Sequence, residues 1–422
     1  MHPSDIADVL DKLKRADVHY IYKLLDLESR SDVLVELEDD VREDLLSTLT
    51  SKEIAVEVIE GLESDDAADV VADLSEEKLE EVLSLVEDEE AKSDVIDLLN
   101  YEEGTAGSIM AKEVVRVEEG WSVARAIKEI RNQADDIDNL YTIYVVDQDS
   151  KLSGWLSIKR LLLTAKSTRS KISELTNTEN LVSILATDSD EQVAGLMEKY
   201  DLIALPVVDE EGVLVGRITI DDAVDVIIEE AEKDYQLASG ISEDVESDDS
   251  IIDLTRARLP WLLIGLLGGV GGAYVIGAFD IETHPELALF IPLIAAMGGN
   301  VGVQSSAIVV QGLAASHLNN NSILSRLSKE FGVGLLNGLI CSILIFGISH
   351  LLGFSSALSL SVSLSLLCVI VFAALFGTFV PLVLDQRNID PALATGPFIT
   401  TANDIIGLII YFTVSGLISG IL

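Results

Sequence analysis

Cysteine, histidine and positive charge are all scarce in this chain, and each shortage removes a class of function. The two cysteines, Cys341 and Cys368, sit in apolar runs, which leaves neither a disulfide framework nor a thiolate metal site. The five histidines (His2, His19, His284, His317, His350) are scattered without ligand spacing, which argues against a zinc centre. No His-Glu-x-x-His is present, and no Gly-x-x-x-x-Gly-Lys-Ser/Thr, so an intramembrane zinc protease and a nucleotide-driven pump are both excluded. Lys and Arg number 28 against 72 Asp and Glu, an excess of acid that repels nucleic acid and anionic lipid headgroups and attracts cations. The N-terminus is polar and acidic with no signal peptide, so the first 255 residues are expected to stay in the cytosol.

The acid is not evenly spread. From Arg256 onward there are five basic and seven acidic residues, which leaves 23 basic against 65 acidic before it, a net −42 of the chain's −44. Two readings of this surface stand side by side, ordinary solvation as in salt-adapted proteins and sensing of cations by particular clusters.

The second part is apolar. Five stretches, about 259–279, 287–315, 331–353, 356–384 and 393–422, are each long enough to cross a hydrocarbon core of roughly 30 Å as helices. Arg256 and Arg258 precede the first, Arg326 and Lys329 lie between the second and third, and Arg387 lies between the fourth and fifth. The loops around DIETHPE and GFSS hold no Lys or Arg, so the basic bias puts the N-terminal region inside and the C-terminus outside a cell membrane.

Asp404 is then the most telling residue, a carboxylate inside the closing run GPFITTANDIIGLIIYFTVSGLISGIL. A bilayer tolerates such a charge only against a bundle interior, a wet path or an ion. The second span is also unusual, because IPLIAAMGGNVGVQSSAIVVQG carries Gly298, Gly299, Asn300, Gln304 and two serines in mid-run. Those residues suit close helix packing, and they equally suit a segment that lines a wet cavity.

In the soluble part, YVVDQDSKLSGWLSIKRLL from Tyr144 recurs as PVVDEEGVLVGRITIDDAV from Pro206, an offset of 62 residues. Each copy reads as strand, acidic turn, strand and helix, preceded by a helical pattern. The pair resembles tandem CBS domains, regulatory modules for adenosyl nucleotides or metal ions. The nucleotide pattern Gly-x-x-Thr/Ser-x-x-Asp of such modules falls on Gly216, Thr219 and Asp222 in the second copy, while the first copy has Arg160 in place of the acid. ATP or another adenosyl nucleotide is thereby implied at Thr219 and Asp222, against the plainer reading of a helix start capped by Thr219. Residues 1–100 show helical spacing in IADVLDKL, VREDLLSTL, AADVVADL and LEEVLSLV, separated by acidic turns.

The order of motifs carries a wider resemblance. YEEGTAGSIM at the entry to the repeats, PVVDEEGVLVGRITIDDAVDVI, ARLPWLLIG, FIPLIAAMGGNVGVQSS and DPALATGPFITTANDIIGLIIYF together resemble the MgtE family of magnesium channels, essentially from end to end. The resemblance implies a multi-domain chain: an all-α acidic sensor domain (1–103), an α/β tandem CBS pair (104–168 and 169–232), a connecting plug helix (233–255) and an all-α pore domain of five transmembrane helices (256–422). It implies a homodimer in the lipid bilayer that passes Mg2+ and closes when cytosolic Mg2+ is high, and no enzyme activity. A carrier of divalent cations coupled to another ion is the alternative.

Carried onto this sequence, the resemblance makes Asp404 the pore acid, preceded by Thr400 and Thr401 and faced by Gly298, Gly299 and Asn300. Where the family pattern often has Asn, this chain has Val303. Asp390 matches the acid at the cytosolic mouth, and an N-cap role with Pro391 at the first helical position also fits it. Asp65 and Asp69, four apart, share a helix face and match a sensor pair, with Glu211, Asp221 and Asp225 on the second CBS copy and Glu243 and Asp244 on the connecting segment. Mg2+ demands octahedral oxygen and gives up water reluctantly, so two copies of Asp404 about a two-fold axis suit an ion that keeps its waters.

Overall fold

A computed structural model describes residues 1–72, 74–133, 140, 142–163, 167–242, 245, 250–279, 284–314, 323–387 and 389–419. The chain divides into two compact units, Met1–Glu229 and Glu230–Leu422, each described by itself.

The first unit opens with eight short helices: α1 (Pro3–Leu10), α2 (Arg15–Tyr22), α3 (Leu27–Val35), α4 (Asp39–Thr48), α5 (Ser51–Ile54), α6 (Ser64–Ala72), α7 (Glu76–Leu85) and α8 (Glu89–Leu98). The acidic turns between them start helices. Asp26 accepts from the Ser29 amide, Asp88 from the amides of Glu90 and Ala91, and Thr50 and Glu53 form a capping box. One π-helical stretch, Ala55–Ile59, continues α5 and turns Glu57 inward, where it is 3% exposed. Its carboxylate accepts from Tyr22 Oη at 2.9 Å and Arg30 Nη1 at 2.8 Å, while Arg30 also donates to the carbonyls of Leu25 and Lys23. Burial and the neighbouring Glu57 push the Tyr22 hydroxyl up. Glu57→Ala would strand the Arg30 charge and the Tyr22 hydroxyl, a loss of about 3 kcal/mol. It should therefore lower the first transition in a thermal melt followed by circular dichroism, and an unchanged melt would contradict this role.

Two small α/β modules follow. The first comprises β1 (Arg116–Glu118), α9 (Val123–Gln133), β2 (Ile143–Val146), β3 (Leu152–Leu156) and α10 (Ile158–Leu163). The second comprises β4 (Ile184–Leu185), α11 (Asp190–Tyr200), β5 (Ala204–Val208), β6 (Leu214–Thr219) and α12 (Ile220–Ser239). The sequence repeat is a structural one down to the register. Each sheet has a parallel and then an antiparallel pairing, Val145 faces Gly154 as Val207 faces Gly216, and the same bulge follows in both. The glycine is required twice, since an added Cβ would press on the Asn177 carbonyl at Gly154 and on the Ala111 carbonyl at Gly216. Backbone bonds from Leu152 to Gly212 and from Leu214 to Ser150 join the copies at their acidic turns.

One apolar core runs through the helical domain and the second module, taking in Val33, Ile54, Val70, Met110, Met197, Ile218 and Ala223. The first module has its own, around Val117, Ile130, Ile143 and Leu156. Core continuity makes the helical domain and the second module one packed body.

In the second unit five helices are long and apolar enough to cross a membrane: α13 (Ile251–Ala278), α14 (Ile291–Ala314), α15 (Ile323–Leu351), α16 (Ser356–Asp385) and α17 (Gly396–Ser419). The central α16 buries serines 359, 361, 363 and 365, which suits close approach in an apolar bundle. Val362, Leu366, Val369, Leu408, Tyr411 and Phe412 form the core, and Tyr411 Oη donates to the Leu287 carbonyl at 2.9 Å. Pro260 and Pro381 lie inside helices, as membrane helices allow.

The expected connecting segment over 233–255 is described in part. Residues 233–239 are the end of α12, and α13 begins at Ile251, ahead of the expected start of the first span. The break has a local cause at Gly240, whose φ of +81° closes a Schellman turn in which the Ile241 amide donates to Gln236 and the Gly240 amide to Leu237.

Candidate cation path and acidic clusters

Asp404 lies on α17 about 12 Å from its start, well inside the bundle. It faces α14 at a glycine: a methyl group at Gly299 would stand 3.8 Å from Asp404 Oδ1 and 3.2 Å from Thr400 Cγ2. Gly298 meets the Asn403 carbonyl and Val369. Gly298, Gly299, Thr400 and Asp404 are thus brought together. Asn300 and Thr401 are placed differently. Adjacent helical residues point about 100° apart, so Asn300 is exposed on the outside of the single-chain bundle, and Thr401 packs into Gly268 of α13. A carboxylate beside a glycine can hold a hydrated cation, because the missing side chain lets the ion keep its water.

The end of α12 meets the turn before α17. Asp390 starts the 3-10 turn Pro391–Ala394 and accepts from the Ala392 amide at 2.7 Å, so the capping role is realised. Gly396, with φ of +49°, lies against the Ala238 carbonyl, and Gly240 lies against Pro397. The end of α12 is therefore seated at the entrance to α17. Here the structure adds Asp234, which the sequence reading missed. Partial burial, then Asp390 and Glu230, raise its carboxyl above the usual range.

A third group of acids lies in the first unit, between α6 and the start of α12. Asp65 is buried in the first turn of α6, and burial, reinforced by Asp222, Asp66 and Glu63, pushes its carboxyl well above the carboxylate range. Asp66 is pushed up to about 7 by burial, then Asp222, Asp69, Glu63 and Asp221. Asp222 is raised chiefly by burial, although the Thr219 backbone and hydroxyl pull it down. Asp225 is raised by partial burial, Asp221 and Glu36. Oxygens of Glu63, Asp65 and Glu113 come within 4.8 Å of one another, a spacing able to hold a metal ion. Arg217 donates to Glu63 at 2.7 Å, and Ser64 donates to Glu113 through its amide at 3.1 Å and its hydroxyl at 2.8 Å.

Of the acids expected from sequence, Asp65, Asp221 and Asp225 join this system. Asp69 is exposed on α6 beside Asp66, and Glu211 is exposed in the β5–β6 turn, its amide bonded to Asp209. Glu243 and Asp244 lie outside the described residues. Glu36, Glu63, Asp66 and Glu113 were missed because face-sharing along one helix says nothing of what a neighbouring domain presents. The Ser-Asp-Asp start of α6 was the available signal.

Thr219 and Asp222 are paired with each other. The Thr219 amide and hydroxyl both donate to Asp222 Oδ2 at 2.8 Å, and the hydroxyl also reaches Asp221. With Asp65 and Asp66 facing them, this pair does not fit a polyphosphate while the two domains are packed together.

Comparison with known proteins agrees with this architecture. The family described as the MgtE intracellular N domain matches residues 1–104, CBS domains match 106–166 and 172–229, and the family MgtE, described as a divalent cation transporter, matches 291–414. The magnesium transporter MgtE of Bacillus subtilis is 34% identical over 75% of this chain and 70% of its own, and that of Thermus thermophilus 37% identical over 76% and 71%. Among solved structures, the cytosolic domain of the Mg2+ channel MgtE in complex with ATP is similar at 35% identity with a TM-score of 0.50, over 54% of this chain and 90% of that one. With its N domain, CBS pair and five apolar helices in the family's order, the chain belongs to the MgtE family of divalent cation transporters.

Proposed function

We propose that this chain is a Mg2+ channel of the cell membrane, working as a homodimer, whose cytosolic acids close it when internal Mg2+ is high. The observation that carries the reading is Asp404, a carboxylate in a membrane helix turned to the bare backbone of Gly299. Mg2+ is the named cargo of the 34% and 37% identical relatives. In a dimer two Asp404 carboxylates flank one hydrated ion. Asn300, exposed beside the Gly-Gly pair, and the apolar strip Ile220, Val224, Ile227, Ile228 and Tyr235 on α12 are surfaces that a second copy would cover.

Gating follows from linkage. Cations between α6 and α12, and at Asp234 and Asp390, cancel a repulsion that exists only when those acids are close, so they favour the assembled, closed state. Loss of the ions lets the acids part, and the end of α12 leaves the mouth. Glu243 and Asp244 are proposed to add to this charge on the connecting segment. The ATP complex of the 35% identical neighbour supports a nucleotide at the CBS pair, and Thr219 and Asp222 would be free for one only after separation from α6.

The N-terminal and CBS domains lie in the cytosol and the C-terminus outside, as the basic loops direct. Single-channel recording of purified protein in lipid tests the mode of transport. Discrete openings carrying Mg2+ current are expected, whereas strict coupling of flux to Na+ or H+ would establish the carrier instead.

A further inference from the structure

The buried polar atoms behind Asp404 have no use in the cation path described above. Asn403 is 1% exposed, and neither its Oδ1 nor its Nδ2 has a hydrogen-bond partner among the described residues. Its amide nitrogen abuts Gly302 of α14, where any side chain would overlap it. The backbone of Gly302 is met by Gly377 of α16, so three helices touch at this point. One turn along α14 the Ser306 hydroxyl is 0% exposed and unpaired, and next to Gly377 the Thr378 hydroxyl is 2% exposed and unpaired. A Ser or Thr inside a helix ordinarily bonds back to its own backbone, which these two do not.

Four buried polar atoms without partners, two on Asn403 at the contact and one each on Ser306 and Thr378 within a turn of it along α14 and α16, call for a ligand, since buried polar groups are almost always bonded to protein or to water. No charged side chain belongs to the group, which argues against an ion. An amide donor, an amide acceptor and two hydroxyls supply the two to four partners a buried water takes. We infer that the α14–α16–α17 crossing around Gly302 is an internal water site, and that Asn403 acts through it as a positioning residue. Asp404 is its chain neighbour, so a water that ties Asn403 to α14 and α16 fixes the rotation of α17 that turns Asp404 toward Gly299.

The test compares Asn403→Leu, Ser306→Ala and Thr378→Val, singly and in pairs, in the full chain in lipid nanodiscs and proteoliposomes. A shared water makes Asn403→Leu lower Tm, and makes Ser306→Ala with Thr378→Val cost less together than the sum of the two alone. It also predicts that Asn403→Leu raises the Mg2+ concentration for half-maximal flux by about tenfold, as loss of an outer partner does at metal sites, with the maximal rate kept. A dry crossing predicts the reverse sign, because a leucine would relieve an unpaired amide and raise Tm. A raised Tm, or additive hydroxyl variants, would overturn the water site, and an unchanged half-saturation would overturn the positioning role. Should Asn403→Leu not assemble, the Ser306 and Thr378 cycle decides alone. The flux arm rests on the pore reading of Asp404 and the thermal arm does not, so the two failures are distinguishable.

Discussion

Asp404→Asn is expected to cut Mg2+ flux about 100-fold or more while leaving fold and assembly unchanged. The substitution keeps shape and hydrogen-bonding capacity and removes only charge. Two unit charges about 4 Å apart attract by about 4 kcal/mol at an effective dielectric constant near 20, and a divalent ion doubles this for each of two carboxylates. Dehydration of the carboxylates returns much of that energy, yet a remainder of about 2.7 kcal/mol already amounts to 100-fold. The measurement is 28Mg2+ or fluorescent-indicator uptake into proteoliposomes, with gel filtration to show that assembly is unchanged. Normal uptake by the variant would remove Asp404 from the cation path. Competition by Co2+, Mn2+ and Ca2+ on the same vesicles reads selectivity, which should flatten in the variant because an amide does not distinguish ions by charge density.

Replacing Asp65, Asp66, Asp221, Asp222 and Asp225 together by Asn should make flux far less dependent on cytosolic Mg2+, moving inhibition to much higher concentrations. These acids crowd one another between α6 and the start of α12, with the Arg217 guanidinium engaged by Glu63. Without them the assembled state keeps a preference for Mg2+ chiefly at Asp234 and Asp390, and a ligand that discriminates less shifts the equilibrium less. Inhibition persisting at the parent's Mg2+ concentration would sink the sensor assignment. Asp69→Asn alone, at an exposed position, should shift the dependence far less.

Protons should partly replace Mg2+ at the same acids. Carboxyls raised in the packed state bind protons more tightly there than when apart, so packing gains stability as pH falls and loses it as pH rises. The window runs from the ordinary carboxylate range up to about 7, set by Asp66. In EDTA, thermal melts of the parent should therefore shift up between pH 7.5 and pH 5.5. Stabilisation by Mg2+ should be greatest at pH 7.5, where the repulsion is complete. The five-amide variant should lose most of both effects, and a pH response as large as the parent's would place the titrating groups elsewhere.

Much of this molecule is legible in its sequence because the signals are local or periodic. Span length, the basic loops, the 62-residue repeat and the cost of a carboxylate at Asp404 depend on neighbours along the chain. Even the registers of the two modules follow from the repeat, since Gly154 and Gly216 occupy one structural position. The family motifs then ordered the domains as the comparisons show them.

What the sequence left open has one cause. Asp65 with Asp69 was a sound pairing along a helix, but burial turned Asp65 and Asp66 toward Asp222, and Glu63 toward Glu113 and Arg217, partners some fifty to 150 residues away. One glycine with positive φ at 240 decides where α12 stops. Asn300 and Thr401 carried the right residue types, yet a rotation of about 100° per residue sends them to other faces than Gly299 and Asp404. Sequence by itself determined that this chain has an acidic N-terminal part, five apolar segments long enough to span a membrane and a carboxylate in the last of them. Only tertiary structure decided which acids meet and what lies behind Asp404, because charge repulsion and burial act through space between residues that the chain keeps far apart.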